Sequence, residues 1–348
     1  MTQRTPSSFS QLLQTIQEQA IQSSLSADEQ RQVIEVLSTL LAGSARTIER
    51  PRSLSDMQDV RGQEIVKRAL EVAATGGHNI LLVGPPGAGK RLLAQTLLSV
   101  LPETADPGPF RSPQTSIELD AFVGRSDPLA LGELTLAHGG VLLIENLPAF
   151  ALPHLQALQR AVEQRVVIPQ GANHAFFPAR FILVATMQPC PCGFFDDPVR
   201  ECRCSADDIA QYQRRVSEVV TSCFDLQIEV PFLRQEVLLD KRPGESSLRV
   251  RQRVEAARTI QRRRFAGTSF SVNSDLGPID EVQQYGQLSD AAAEKLLKAA
   301  IQQLHLSVQQ VLRLQRVSRS IADLAQSDAI SASHIAEAIQ YRGRLSYR

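Results

Sequence analysis

The chain has 348 residues, 43% of them hydrophobic, and balances 37 Lys plus Arg against 37 Asp plus Glu. A net charge of zero gives no global pull toward nucleic acid or a membrane surface, so only local clusters can argue for either. No apolar run approaches the ~18 residues of a spanning helix, and the polar residues 1–11 do not have a signal-peptide layout.

A cytoplasmic chain is therefore expected, with its five cysteines as thiols or metal ligands rather than disulfides. Phe9, Leu12, Leu13, Ile16 and Ala20 share one helical face, and Val33, Ile34, Leu37, Leu40 and Leu41 share another. Ser26 and Glu29 have capping-box spacing ahead of the second helix. Residues 43–56, with Pro51, read as a linker. Beyond it, Ile80-Leu81-Leu82-Val83, Val141-Leu142-Leu143-Ile144 and Phe181-Ile182-Leu183-Val184 are short apolar runs, the first of them passing into a helical pattern over 92–100. Buried strands alternating with helices predict a parallel sheet covered on both faces. Val166-Val167-Ile168 before Gln170-Gly171 predicts an inserted hairpin. From Glu236 the pattern is helical, over 248–265, 291–304, 308–324 and 333–341. Three segments follow: 1–50, helical with a linker; 51–235, α/β; and 236–348, an all-helical lid.

Gly84-Pro85-Pro86-Gly87-Ala88-Gly89-Lys90 lies between a predicted strand and a predicted helix, the context that gives a Walker A match its meaning. The glycines let backbone N–H groups close around phosphate oxygens, and Lys90 reaches the β- and γ-phosphates. ATP or ADP is the expected ligand. The next position, which calls for a Mg²⁺-binding hydroxyl, is Arg91; a guanidinium repels a cation but can contact phosphate directly.

With this loop, several further segments resemble the Mg-chelatase-like AAA+ domain of ComM-type proteins. They are Asp59-Val60-Arg61-Gly62-Gln63-Glu64, Gly76-Gly77-His78-Asn79, Pro109-Phe110-Arg111-Ser112-Pro113 and Gly132-Glu133-Leu134-Thr135-Leu136-Ala137-His138. Met187-Gln188-Pro189-Cys190-Pro191-Cys192-Gly193, Ile321-Ala322-Asp323-Leu324 and Glu337-Ala338-Ile339-Gln340-Tyr341-Arg342 complete the set. The resemblance covers about residues 55–343 and implies a P-loop AAA+ sheet with a helical lid, a homo- or hetero-oligomeric ring and DNA remodelling. Residues 1–50 stand where the family carries a protease-like domain.

The positions that the family uses for hydrolysis are substituted. Arg91 replaces the hydroxyl, and Glu145-Asn146 stands for the Walker B Asp-Glu pair. Gln188 takes the sensor Asn position, Cys223 the arginine finger and Gln309 the second-sensor Arg. Asn146 can orient water but cannot take its proton, and a lost finger alone costs about 10³–10⁵ in rate. Arg180 and Arg214 are fingers only from unexpected positions. Cys190-x-Cys192 and Cys202-x-Cys204, with nine residues between the pairs, supply the four thiolates of a structural zinc site or form a reduced cluster. Arg249, Arg251, Arg253, Arg258, Arg262, Arg263 and Arg264 crowd one helix; they either track nucleic-acid phosphates or form a solvated face or subunit contacts.

The leading expectation is a nucleotide-binding, hydrolysis-poor ring subunit, scaffold or regulator. The alternatives are an active ATPase motor on DNA and a zinc-organised nucleic-acid module with a relic P-loop. No membrane partner is expected. Because Arg91 both removes a Mg²⁺ ligand and adds positive charge, Mg²⁺ should be bound weakly or not at all. ATP affinity measured in EDTA and in excess Mg²⁺ should differ by less than about tenfold, and Arg91→Thr should introduce Mg²⁺ dependence without turnover.

Overall fold

The computed structural model describes residues 55–102, 108–126, 129–171, 177–240 and 242–343. The two helices expected within residues 1–50 lie outside the described residues.

In chain order, helix α1 (Glu64–Gly76) precedes strand β1 (Ile80–Val83) and helix α2 (Lys90–Val100). Strand β2 (Phe110–Arg111), helix α3 (Leu119–Val123), strands β3 (Gly124–Ser126) and β4 (Leu129–Leu131), and helix α4 (Glu133–Leu136) follow. Strand β5 (Val141–Ile144), helix α5 (Leu152–Gln164), and strands β6 (Val166–Val167), β7 (Phe177–Pro178) and β8 (Ile182–Met187) come next. After helix α6 (Ala206–Cys223) and strand β9 (Leu226–Glu229), the elements are helical: α7 (Gln235–Leu238), α8 (Ser247–Arg264), α9 (Ile279–Tyr285), α10 (Ala291–Gln303), α11 (Val308–Leu324) and α12 (Ala332–Gln340).

Two compact units emerge, one with Glu103–Met187 and Ala210–Cys223, the other with Leu54–Pro102, Gln188–Ile209 and Phe224–Arg348. In the first, β5 lies between β2 and β8 and pairs parallel with both. Every residue of β5 is buried, as expected of a strand covered on both faces. The hairpin expected after Val166 forms as the antiparallel β6–β7 pair, and a second hairpin, β3–β4, accompanies it. Arg111 and Glu133, from two of the family-like segments, form an ion pair that ties β2 to α4.

In the second unit, β1 and β9 pair parallel, from Ile80 opposite Leu226 to Val83 opposite Glu229. Parallel strands flanked by helices, with a helical C-terminal region, are the α/β architecture implied by the sequence. Phe265, Leu276, Val282 and Leu312 form an apolar core among the C-terminal helices.

The helices are joined to the strands of this unit by buried polar groups. The backbone N–H groups of Asp225 and Leu226 both donate to Asn79 O at 3.1 Å. The Asp225 carboxylate meets His78 Nδ1 at 3.0 Å, and Arg313 and Arg316 of α11 at 3.7 and 3.8 Å. His78 Nε2 lies 2.8 Å from Ser320 Oγ, also on α11. A second buried carboxylate, Asp323, accepts from Arg264, from Arg319 Nε at 3.1 Å and from Asn273 Nδ2 at 2.8 Å.

Burial alone would raise the Asp225 carboxyl, but the His78 hydrogen bond and the charges of Arg316 and Arg313 hold it well below the ordinary range. A carboxyl depressed by folding contributes stability that is complete above its unfolded value, about 3.9, and is lost as pH falls toward the folded value. Asp225→Asn should cost about 3 kcal/mol at neutral pH by removing the negative charge that His78, Arg313 and Arg316 face. Denaturant titrations from pH 7 to pH 3 should show the wild type losing this advantage below about pH 4 and the variant showing a shallower acid slope.

Candidate functional site

β1 ends at Val83, and the chain turns through Gly84–Gly89 into α2, with Lys90 as its first residue. Gly89 sits at φ +84, a left-handed conformation that favours glycine, and a Cβ there would meet nothing within 4 Å. The turn is therefore set by backbone geometry and leaves the room that a phosphate needs. Lys90 Nζ folds back to donate to Gly84 O and Pro85 O, both at 2.7 Å. Burial lowers this ammonium to about 8; a phosphate would restore the counter-charge that the carbonyls replace only in part. Arg91 is exposed in the first turn of α2.

The same unit places the sensor position beside this loop. Gly193, at φ +86, packs so closely that a Cβ would lie 2.5 Å from Pro86 Cδ and 3.0 Å from Gln188 Oε1. Glycine is required here by both the backbone angle and the close approach. Gln309 is exposed at the start of α11.

Cys190, Cys192, Cys202 and Cys204 converge, with all four sulfurs within 4.8 Å of one another. Cys190 Sγ lies 3.4 Å from Cys192 Sγ and 3.7 Å from Cys202 Sγ, while Cys192 and Cys202 are 3.6 Å apart. A zinc ion at 2.3 Å from four thiolates sets sulfurs about 3.8 Å apart along tetrahedral edges, so the donor set fits the metal in number, type and spacing. The single-residue spacing within each pair is accommodated because folding brings the two pairs together. The N–H groups of Arg203 and Phe194 hold the Cys192 thiol down to about 6. Cys204 accepts the Cys192 N–H, but burial and the neighbouring thiols push it up to about 12. A divalent cation favours the thiolate form of every ligand it binds.

Glu145, Asn146 and Cys223 belong to the other unit. Asn146 is at φ +55, a left-handed conformation that Asn adopts more readily than most residues, and its N–H donates to Thr186 Oγ1 at 3.1 Å. Ser112 Oγ donates to Glu145 Oε1 at 3.5 Å. Cys223 is buried at the end of α6, its sulfur 3.5 Å from Ser222 Oγ. Arg180 and Arg214 are exposed. The Arg180 N–H donates to His138 Nδ1 at 3.0 Å, and burial together with the Arg180 charge pushes His138 down to about 4.

Several arginines of α8 are engaged within their own unit. Arg251 donates to Ser99 O, Arg253 to Glu71 and Glu245, Arg258 to Ala74 O and Arg264 to Asp323. The arginine crowding seen in the sequence is in large part internal wiring. Sequence reading did not find Arg200, whose guanidinium lies over the Phe194 and Phe232 rings at 5.1 and 5.4 Å. Phe194 is close in sequence but Phe232 is remote, so spacing carried no signal of the pair.

Comparison with known proteins agrees with this geometry. Residues 56–108 and 103–238 match the family described as magnesium chelatase, subunit ChlI, and residues 244–342 match its C-terminal region. The chain is 37% identical over 313 residues to the Escherichia coli protein YifB and 38% identical over 312 residues to competence protein ComM of Haemophilus influenzae; each match covers 82% of this chain and 60% of the relative. An uncharacterised Mycobacterium tuberculosis protein is 32% identical over 333 residues, 88% of this chain and 65% of its own length. The chain belongs to the Mg-chelatase-like family of ComM type and spans about 60% of the length of YifB and ComM.

Membership implies nucleotide and Mg²⁺ binding. The phosphate loop fits a nucleotide; Arg91, in its first helical turn, stands where a hydroxyl would ligate Mg²⁺, and a guanidinium does not fit that ion. No helix among the described residues is long and apolar enough to cross a membrane.

Elemental analysis of protein purified without chelator should find about one zinc per chain. Cys202→Ser should reduce that to less than about half by removing one of four ligands. A zinc-free wild type whose four thiols titrate freely would reject the site.

Proposed function

We propose that the chain is a nucleotide-binding AAA+ module that holds ATP or ADP at Gly84–Arg91, turns it over poorly, and acts as a ring subunit, scaffold or nucleotide-dependent regulator. The observation that carries this reading is the phosphate loop itself. A left-handed glycine precedes α2, and the Lys90 ammonium is held against the loop carbonyls Gly84 O and Pro85 O. Weak turnover is supported by side-chain chemistry. At the Walker B position Glu145 is followed by Asn146, which has no basic group at neutral pH, and the finger position is a buried cysteine, Cys223. Catalytic losses of this kind act on one reaction and are not compensated singly.

One relative is named a competence protein, and the alternative reading is an ATPase motor acting on DNA. Here, the engagement of Arg251, Arg253, Arg258 and Arg264 inside the chain favours the nucleotide reading over a basic helix that tracks phosphates.

Calorimetry and a phosphate-release assay on the same pure sample test the proposal. Wild type should bind ATP or ADP, Lys90→Ala should weaken binding at least about tenfold, and turnover should stay well below about 1 s⁻¹ with or without DNA. Absence of binding heat with either nucleotide removes the first half of the proposal. Turnover near that rate removes the second.

A further inference from the structure

The cysteine-bearing loop, residues 190–204, packs directly on the phosphate loop. Its Gly193 makes the close approach to Pro86, and the same residue donates its N–H toward Cys190, to the sulfur at 3.2 Å and to the carbonyl at 3.0 Å. One residue therefore joins a metal-ligand position to the nucleotide loop. Further along, Arg200 lies over both Phe194, from its own loop, and Phe232. Phe232 in turn borders the phosphate loop: its ring edge would be 3.9 Å from a Cβ at Gly87. The Asp197 carboxylate accepts the Val199 and Arg200 backbone N–H groups at 2.9 and 2.8 Å, fixing the turn that carries the arginine.

Arg200 is exposed, and its guanidinium faces the two rings with no carboxylate paired to it among the described residues. An arginine whose charge sits over aromatic rings and meets no carboxylate keeps N–H donors available for a planar or tetrahedral anion. Through Phe232 it neighbours a loop in which Arg91 replaces a Mg²⁺-ligating hydroxyl, where side chains can supply positive charge to the phosphates.

We infer that the metal-organised loop is part of the nucleotide site: metal on Cys190, Cys192, Cys202 and Cys204 clamps Gly193 against Pro86, and the Arg200 guanidinium contacts the phosphates of ATP. This rests on the reading of Gly84–Arg91 as a nucleotide site and adds a residue and a dependence that the phosphate-loop motif does not contain. A metal site and a nucleotide site that share a contact are linked, so each ligand strengthens binding of the other by the same factor.

The test uses the full chain, with ATP and zinc as probes. ATP affinity is measured by calorimetry for wild type, Lys90→Ala, Arg200→Ala and Arg200→Lys, with metal content and thermal melting recorded for each. Wild type is measured again after chelator treatment and after zinc is restored. Arg200→Ala should bind ATP about tenfold more weakly while keeping its metal and its melting temperature. Arg200→Lys, which keeps the charge but loses the planar fork of N–H donors, should recover part of the loss. Metal-stripped wild type should lose affinity by a similar factor and regain it with zinc.

Unchanged ATP affinity in Arg200→Ala overturns the phosphate contact, and unchanged affinity in folded, metal-stripped wild type overturns the clamp. If removing metal unfolds the chain, the Arg200→Ala measurement decides the phosphate contact and Gly193→Ala decides the clamp. That variant should weaken ATP binding by displacing Pro86 while the cysteines remain, and wild-type affinity would overturn the idea. Failure of this inference is distinct from failure of the nucleotide reading: the former leaves wild type binding ATP and Lys90→Ala weakened, whereas the latter leaves wild type without binding.

Discussion

The Asp225 carboxylate is the fixed point from which the second unit is organised. Its backbone N–H, with that of Leu226, bonds to Asn79 at the foot of β1 and begins the parallel pairing with β9. Its side chain takes up His78 from the segment entering β1 and the charges of two arginines on α11. A buried carboxylate without such partners would cost several kcal/mol, so its neighbours are constrained together. The strand that delivers the phosphate loop and the long C-terminal helix are held at one place by one group. Asp323 repeats the device further along α11, fixing Arg264 of α8 and Asn273.

Many charges therefore serve the interior. Glu71 accepts from Arg68 and Arg253, and Glu337 accepts from Arg68 and from the Tyr341 hydroxyl. These interactions bind α1, α8 and α12 by polar contacts around an apolar core. Helix packing alone tolerates sliding, whereas hydrogen-bonded ion pairs are directional and set a register. Support of this kind holds the Gly84–Gly89 backbone in place, and phosphate recognition by backbone N–H groups depends on such alignment.

The phosphate loop and the cysteine loop illustrate two ways of obtaining a shaped turn. The first relies on glycine conformations and the start of a helix. The second gathers four sulfurs within 4.8 Å and is shaped by their convergence. Gly193 belongs to the cysteine loop but lies against Pro86 of the phosphate loop, so the two turns share a wall.

The strand, phosphate loop and helix of residues 80–100 were legible in the sequence because their determinants are contiguous: an apolar run, glycines at left-handed positions and an amphipathic segment. The same holds for β5, α8 and α11, and for the β6–β7 hairpin signalled by Val166-Val167 and Gly171. The family was legible too, since its motifs are short runs. β9 was not, because four residues alternating Leu226-Gln227-Ile228-Glu229 are too few to separate from a loop. The convergence of the cysteine pairs, the partners of the α8 arginines and the placing of Arg200 over Phe232 were decided by tertiary structure alone. Each joins residues distant in the chain, and a residue's charge or sulfur is a local property, whereas what it meets is set by how the backbone returns on itself.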